Sequence, residues 1–263
     1  MLEVLSLGAV QGFTEWLPVS SQGVVTSLGT LFSELDAEQA LALALWLHLG
    51  TGLAATCMFR RDIRSIVLDC LRRPLNPSPE SKFVVISVVS SGIVGFPLLL
   101  LANKGFAILG SFGMVHVGIF MIIGGIVMSV RGQISPNRTS DVQPMDAVLV
   151  GIAQGFAAFP GLSRSGLTVA VLLLRGIDRT KALRLSFVMG IPVTFASGMW
   201  AGLDSGILRT QDGIWGAVVA FGVGLATIRL LLGIAAKIDF TKFLYSAGIL
   251  VVLGGLWQVG WGT

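Results

Sequence analysis

Glu15 and Arg164 both stand inside long apolar stretches, each within a run of polar and helix-breaking residues: QGFTEWLPVSSQG over 11–23 and QGFAAFPGLSRSG over 154–166. A carboxylate at bilayer depth costs about 3 kcal/mol unless it is hydrated or paired, so such a residue is first read as functional. Gln11 and Glu15 are one helical turn apart and share a face. The structural alternative for Glu15 is a protonated side chain bonded to a neighbouring helix. Around Arg164, Ser163 and Ser165 supply hydroxyls, while Gly161 and Gly166 let the backbone turn. A guanidinium fork with hydroxyls and free amides at a helix N-terminus is an anion site, and phosphate oxygens match the fork best. The structural alternative here is an Arg164–Glu15 ion pair. The two uses are compatible, because a pair can hold the empty site and open for substrate. Ser20 and Ser21 follow Pro18. They either satisfy backbone groups freed by the proline or, beside a carboxylate, supply a nucleophile. His48 and His116 fall in apolar stretches, where a lone histidine commonly bonds a neighbouring helix. The chain has no His-x-x-x-His pair and no Asp-rich motif. A dedicated metal cage is therefore not expected, although Glu15 could share one hard divalent cation with substrate phosphates.

The two stretches align without a gap and share Gln, Gly, Phe, Ser and Gly at equivalent places. What positions them is read from the apolar pattern. The 263 residues are 54% hydrophobic and 12% charged, with a mean hydropathy of +0.85. A soluble domain carries roughly a quarter charged residues, so this composition predicts an all-α polytopic membrane protein. The 34 glycines suit close helix packing in lipid. A net charge of +4 suits loops beside anionic lipid and does not point to nucleic acid. Cys57 and Cys70 offer neither a structural disulfide nor metal-ligand spacing. No basic region precedes the first apolar run, so no cleavable signal peptide is expected.

Segments at 39–59, 83–102, 106–130, 185–203, 214–235 and 243–261 are apolar enough for spans of about 20 residues. Pro18 breaks a further stretch at 1–31, and Pro160-Gly161 breaks another at 146–175. Proline removes a backbone donor and clashes with the preceding turn, so each stretch reads as a re-entrant hairpin. The order hairpin, three spans, hairpin, three spans puts an odd number of crossings between the hairpins. They then enter from opposite faces, giving one integral membrane domain over 1–263 built as an inverted repeat, about 1–130 and about 146–261. Lys and Arg distribution agrees. One side carries Arg60, Arg61, Arg64, Arg72, Arg73, Lys82, Arg131, Arg138, Arg175, Arg179, Lys181, Arg184, Lys237 and Lys242. The other carries Lys104 and Arg209, with Glu34, Asp36 and Glu38 in a loop without a base. The first hairpin and the C-terminus are thus expected outside, and segment 60–82, read as a basic loop, inside.

These residues closely resemble the undecaprenyl-pyrophosphate phosphatase family of the bacitracin-resistance type. The first stretch is similar to its (E/Q)-x-x-x-E and F/W-L-P-x-S-S motif, and PGLSRSGLT to its P-G-x-S-R-S-G-x-T motif. LHLGTGLAA…FRRDI within 47–63 and LRLSFVMGIPVTFASG at 183–198 also look like the family. The resemblance implies a multi-pass plasma-membrane phosphatase that removes the terminal phosphate of undecaprenyl (polyprenyl) diphosphate. That step would regenerate the lipid carrier for peptidoglycan and other wall polymers. It also implies six spanning helices with two re-entrant hairpins, a site open to the extracytoplasmic face, and a divalent cation, Mg2+ or Ca2+. Membrane lipids and the polyprenyl substrate would be the partners. By position, Gln11 and Glu15 match the acidic pair, and Ser20 and Ser21 match a serine pair, one of which is a proposed nucleophile. Arg164 matches the phosphate-binding arginine, with Ser163, Ser165, Gly166 and Thr168 completing that motif. The family usually reads S-S-x-G-H where this chain reads SSQGV, so Val24 replaces a histidine. Three readings compete. Glu15 acts as sole base on Ser21 or water; His48 substitutes from another helix; or the chain is a non-hydrolysing relative that binds or moves a lipid phosphate, as a transporter or flippase. A phosphatidate-type phosphatase needs a histidine after its Ser-Arg segment, and both His48 and His116 precede Arg164.

Overall fold

The computed structural model describes residues 1–33, 35–109, 112–131, 141–205, 211–235, 237 and 241–261. Those residues form eleven helices and no strand: α1 (Leu2–Thr14), α2 (Ser21–Phe32), α3 (Ala37–Met58), α4 (Arg60–Arg72), α5 (Pro79–Leu109), α6 (Gly113–Arg131), α7 (Pro144–Phe156), α8 (Arg164–Leu174), α9 (Arg179–Asp204), α10 (Gln211–Ala235) and α11 (Thr241–Trp261). Among the described residues, four helices are long and apolar enough to cross a membrane, within α3, α5, α9 and α10. The described parts of α6 and α11 are apolar but shorter.

Both proline-broken stretches are interrupted where the sequence places the break. The first divides into α1 and α2 around Pro18, and the second into α7 and α8 around Pro160. Some boundaries differ from the sequence reading: α9 starts at Arg179 instead of 185, because the Asp178 side chain accepts the Thr180 and Lys181 amides and caps it. α5 runs on to Leu109, because Asn103-Lys104 removes no backbone donor and Gly105 only weakens a helix. The next helix therefore starts at Gly113. Part of the basic segment 60–82 is also a helix, α4. Ile63, Ile66 and Val67 recur at helical spacing between its arginines, and Ile63 and Ile66 pack against the core. Hydrogen bonds from Ser81 and Ser78 hold the Asp69 carboxyl below its ordinary range and tie the end of α4 to the start of α5. Glu34, Arg138 and Arg209, used in the charge comparison, lie outside the described residues, as do the side chains of Lys104 and Arg131.

α3 and α9 pack together between the broken pairs, α1 packs on α10, α7 packs on α5, and α6 packs on α11. The main core gathers Trp16, Phe59, Phe187 and Met189 beneath the first break. Trp16 Nε1 donates to Gly224 O at 3.1 Å, which anchors that break on α10. At the basic end, Arg184 reaches Asp62 at 2.6 Å and Glu80 at 2.7 Å, joining α9 to α4 and α5. Arg175 joins the end of α8 to Asp146 on α7 at 2.5 Å.

Candidate active site

Glu15 follows the last residue of α1, and its amide still donates to Gln11 O at 3.1 Å. The carboxylate is therefore placed by helical backbone just before the chain turns at Pro18. Gln11 Nε2 donates to Glu15 Oε2 at 2.9 Å, as their spacing requires. The next helix starts on an extended residue. Ser20 accepts the Gly23 amide at 3.1 Å and caps α2. Ser21 is the first residue inside α2, and its hydroxyl donates to Glu15 Oε2 at 2.7 Å. Neighbouring serines thus have different partners, one on the backbone and one on the carboxylate.

The second break repeats this local plan. Ser163 caps α8 by accepting the Gly166 amide at 3.1 Å, and Arg164 opens α8 where Ser21 opens α2. Gly161 has φ +103, and a Cβ there would lie 2.3 Å from Val117 O. Only glycine fits that turn. Ser165 Oγ donates to Leu17 O at 3.3 Å and joins the two breaks directly. Thr168 Oγ1 meets Ser186 Oγ at 2.6 Å and donates to Arg164 O at 2.9 Å, so it fixes the first turn of α8 against α9.

Arg164 spans the gap. Nη2 lies 2.6 Å from Glu15 Oε1, and Nη1 donates to Gly190 O at 2.9 Å and to Thr194 Oγ1. Gly190 leaves the space for this, since a Cβ there would come within 2.6 Å of Nη1. His48, from α3, completes the group. Its Nδ1 lies 2.6 Å from Ala44 O, and its Nε2 lies 3.4 Å from Glu15 Oε2. A carbonyl only accepts, so Nδ1 carries a hydrogen and Nε2 is the atom presented to the carboxylate.

Glu15, Ser20, Ser21, His48, Ser163, Arg164 and Ser165 line one cavity of about 240 Å³. Gln11, Gly166 and Thr168 lie outside its lining and act on residues that form it. Val24 is also outside the lining and packs against the apolar core. His116 meets Phe120 edge-on, with ring centroids 6.2 Å apart, and is not part of the cavity lining. The cavity further includes Thr194, Ser91, Gln154 and Trp200, which sequence reasoning did not single out. Gln154 heads the second repeat and Thr194 lies in the 183–198 stretch, so both carried a usable signal. Ser91 and Trp200 carried none. No group of three or more His, Cys, Asp or Glu able to hold a metal occurs among the described residues. Both Glu15 oxygens already have partners. These donors fit a cation carried largely by substrate phosphate oxygens with Glu15 as one ligand, and do not fit a protein-only cage.

A family model described as Bacitracin resistance protein BacA matches residues 4–254. The chain is similar to the undecaprenyl-diphosphatase of Methanococcoides burtonii, 40% identical over 258 residues, covering 95% of this chain and 97% of that protein. It is 33% identical over 263 residues to that of Haloarcula marismortui, covering 97% of each. To that of Sulfurisphaera tokodaii it is 32% identical over 271 residues, covering 97% of this chain and 98% of that protein.

Proposed function

The chain belongs to the bacitracin resistance protein BacA family, and we propose on that premise how its cavity performs the family's reaction. The protein is a multi-pass membrane hydrolase. It acts on undecaprenyl diphosphate and releases phosphate and undecaprenyl phosphate, the lipid carrier for wall polymers.

The observation that carries the mechanism is the chain of contacts Ser21–Glu15–Arg164 inside one cavity. The terminal phosphate takes the place of Glu15 on the Arg164 fork, beside the capped N-termini of α2 and α8, whose amides and dipoles favour an anion. Glu15 accepts the Ser21 proton while Ser21 Oγ attacks the terminal phosphorus. The bond from that phosphorus to the bridging oxygen breaks, and the electron pair leaves with prenyl phosphate. Water then hydrolyses the seryl phosphate. Prenyl phosphate is a good leaving group, since a phosphate ester has a second pKa of about 6. It needs no proton from a general acid, which accounts for a working site with valine at position 24. His48 Nε2 takes the Ser21 proton from Glu15 and releases it to water, so the carboxylate is free to move a proton from the attacking water onto Ser21 Oγ as the seryl phosphate bond breaks. Charge stabilisation by Arg164 is the largest catalytic contribution, as in phosphoryl transfer generally. A magnesium or calcium ion held by Glu15 and the phosphate oxygens would neutralise part of the diphosphate charge.

The arrangement proposed is six spanning helices, α3, α5, α6, α9, α10 and α11, with α1–α2 and α7–α8 as re-entrant hairpins. The equivalent packing of α1 on α10 and of α7 on α5 supports an inverted repeat. The cavity borders the half of α9 that leads from Thr194 to Asp204, away from Arg184 and the basic end. That favours a site open to the extracytoplasmic face of the plasma membrane.

Phosphate release from a polyprenyl diphosphate by purified protein tests the assignment. Arg164→Ala removes release, and so does Arg164→Lys, which keeps the charge but loses the fork. Near wild-type release from a folded Arg164→Lys variant would sink the mechanism. Movement of lipid phosphate across vesicles without phosphate release would return the carrier reading.

A further inference from the structure

The cavity has a second polar end that the hydrolytic steps leave unused. Beyond Glu15 and Arg164 it continues between α5, α7 and α9, past Ser91, Gln154 and Trp200. Gln154 is 2% exposed; its Nε2 donates to Ser91 Oγ at 3.1 Å, and its Oε1 is buried without a partner among the described residues. Trp200 Nε1 is likewise buried and unpartnered. Buried polar atoms are nearly always bonded, and both of these exceptions belong to side chains that line this cavity.

The neighbouring wall is apolar. Phe96 meets Trp200 edge-on with ring centroids 5.7 Å apart, and Leu99 and Val193 extend the same wall. Phe96 is 52% exposed, so this arm of the cavity reaches the outer face of α5. On α9, Trp200 lies about 9 Å along the axis from Thr194, at roughly 1.5 Å per residue. Side chains on a helix lean back toward its N-terminus, which brings the indole toward the Arg164 end. The cavity lining thus combines a cationic fork, an indole, a buried amide and an apolar wall beside the exposed face of α5.

We propose that this arm is the subsite for the inner phosphate, the one that stays with the lipid, and for the start of the isoprenoid chain. Trp200 Nε1 and the Gln154 amide hold the phosphate, and the wall beside Phe96 takes the chain. Phosphate oxygens accept, so in the liganded form the amide faces the ligand through Nε2 and its oxygen faces Ser91, whose hydroxyl then turns its hydrogen from Val88 O, 2.9 Å away, to the amide oxygen. The subsite makes the enzyme select a prenyl diphosphate over free phosphate, and it rests on the diphosphatase reading above.

Farnesyl phosphate and inorganic phosphate are the probes, with binding measured calorimetrically on purified protein beside steady-state release from farnesyl diphosphate. Trp200→Phe keeps the ring and deletes only the N–H. It is expected to weaken farnesyl phosphate binding and raise the KM for farnesyl diphosphate about tenfold, the size of one hydrogen bond to a charged group. Inorganic phosphate binding and kcat stay near wild type. Gly92 also lines this arm, and a Cβ there would meet nothing within 4 Å, so the side chain of Gly92→Leu starts in open space. It is expected to weaken farnesyl phosphate binding while sparing inorganic phosphate. Unchanged farnesyl phosphate affinity in Trp200→Phe overturns the proposal, as does an equal loss for inorganic phosphate or no binding by wild type. If wild type binds farnesyl phosphate through Trp200 yet releases no phosphate from the diphosphate, the hydrolytic reading fails and the subsite stands.

Discussion

Ser20 and Ser21 are adjacent and chemically identical, yet their partners differ completely. Ser20 spends its oxygen on the Gly23 amide. Ser20→Ala is therefore expected to cost about 1 kcal/mol of stability through loss of the cap, with substantial turnover retained. Ser21 faces Glu15. Ser21→Ala should lower kcat at least ~10²-fold, and wild type quenched during turnover should carry phosphate on Ser21. Equal activity loss in both variants would remove the distinction. His48 presents Nε2 to the same carboxylate. His48→Ala is expected to lower kcat ~10²-fold with KM little changed, as loss of proton-transfer help does. A change of only about threefold would take His48 out of the proton path. Arg164 also has a structural side, because its removal leaves Glu15 buried at 6% exposure with an uncompensated charge. Such a break costs about 3–5 kcal/mol, which is why the charge-preserving lysine variant is the more informative test.

Helix-to-helix contacts decide whether those side chains meet. α9 carries no charged group into the site, but it supplies Gly190 O and Thr194 Oγ1 to the guanidinium. Gly190→Ala would push the fork away from α9, since the new Cβ would lie within 2.6 Å of Nη1. The expected result is a 10–100-fold loss of kcat/KM with little change in melting temperature, because an error of about 1 Å in positioning costs that much. A folded variant with full activity would show that Arg164 need not rest on α9. At the other end of α9, Arg184 joins Asp62 and Glu80, and all three side chains are about a third exposed. Exposed pairs contribute little, so Arg184→Ala should lower stability by only about 1 kcal/mol and leave turnover intact, as a denaturation series would show.

Across the molecule, the proposed orientation in the bilayer rests on the distribution of basic residues. Cys70 sits on α4, among Arg60, Arg61, Arg64, Arg72 and Arg73, and is partly exposed. In a Cys57→Ser background, Cys70 should resist a membrane-impermeant maleimide in intact cells and react once the membrane is opened. Reaction in intact cells would reverse the orientation and move the cavity mouth to the cytoplasm. Val67 and Leu71 are exposed beside the arginines of α4, an amphipathic pattern that suits a helix lying on a membrane surface.

Much of this is legible in the sequence. Apolar run length and two prolines located nearly every helix and both breaks, because those depend on local backbone chemistry. The Gln11–Glu15 pairing followed from helical spacing alone. The ends of α5, the start of α9 and helix α4 are not legible in the sequence, since weak local signals there are decided by capping, packing and amphipathic burial. Sequence separation hid the rest. Nothing in the order of residues tells that Arg164 rests on Gly190, that Ser165 reaches Leu17, or that Gln154 and Trp200 share a cavity with Glu15. The repeated stretches specified two capped helix starts, and the packing of α8 against α9 and α6 then brought one guanidinium onto one carboxylate. A charge can be recognised as costly in lipid from its surroundings in the chain, but the partner that offsets that cost comes from another helix, and only the folded arrangement selects it.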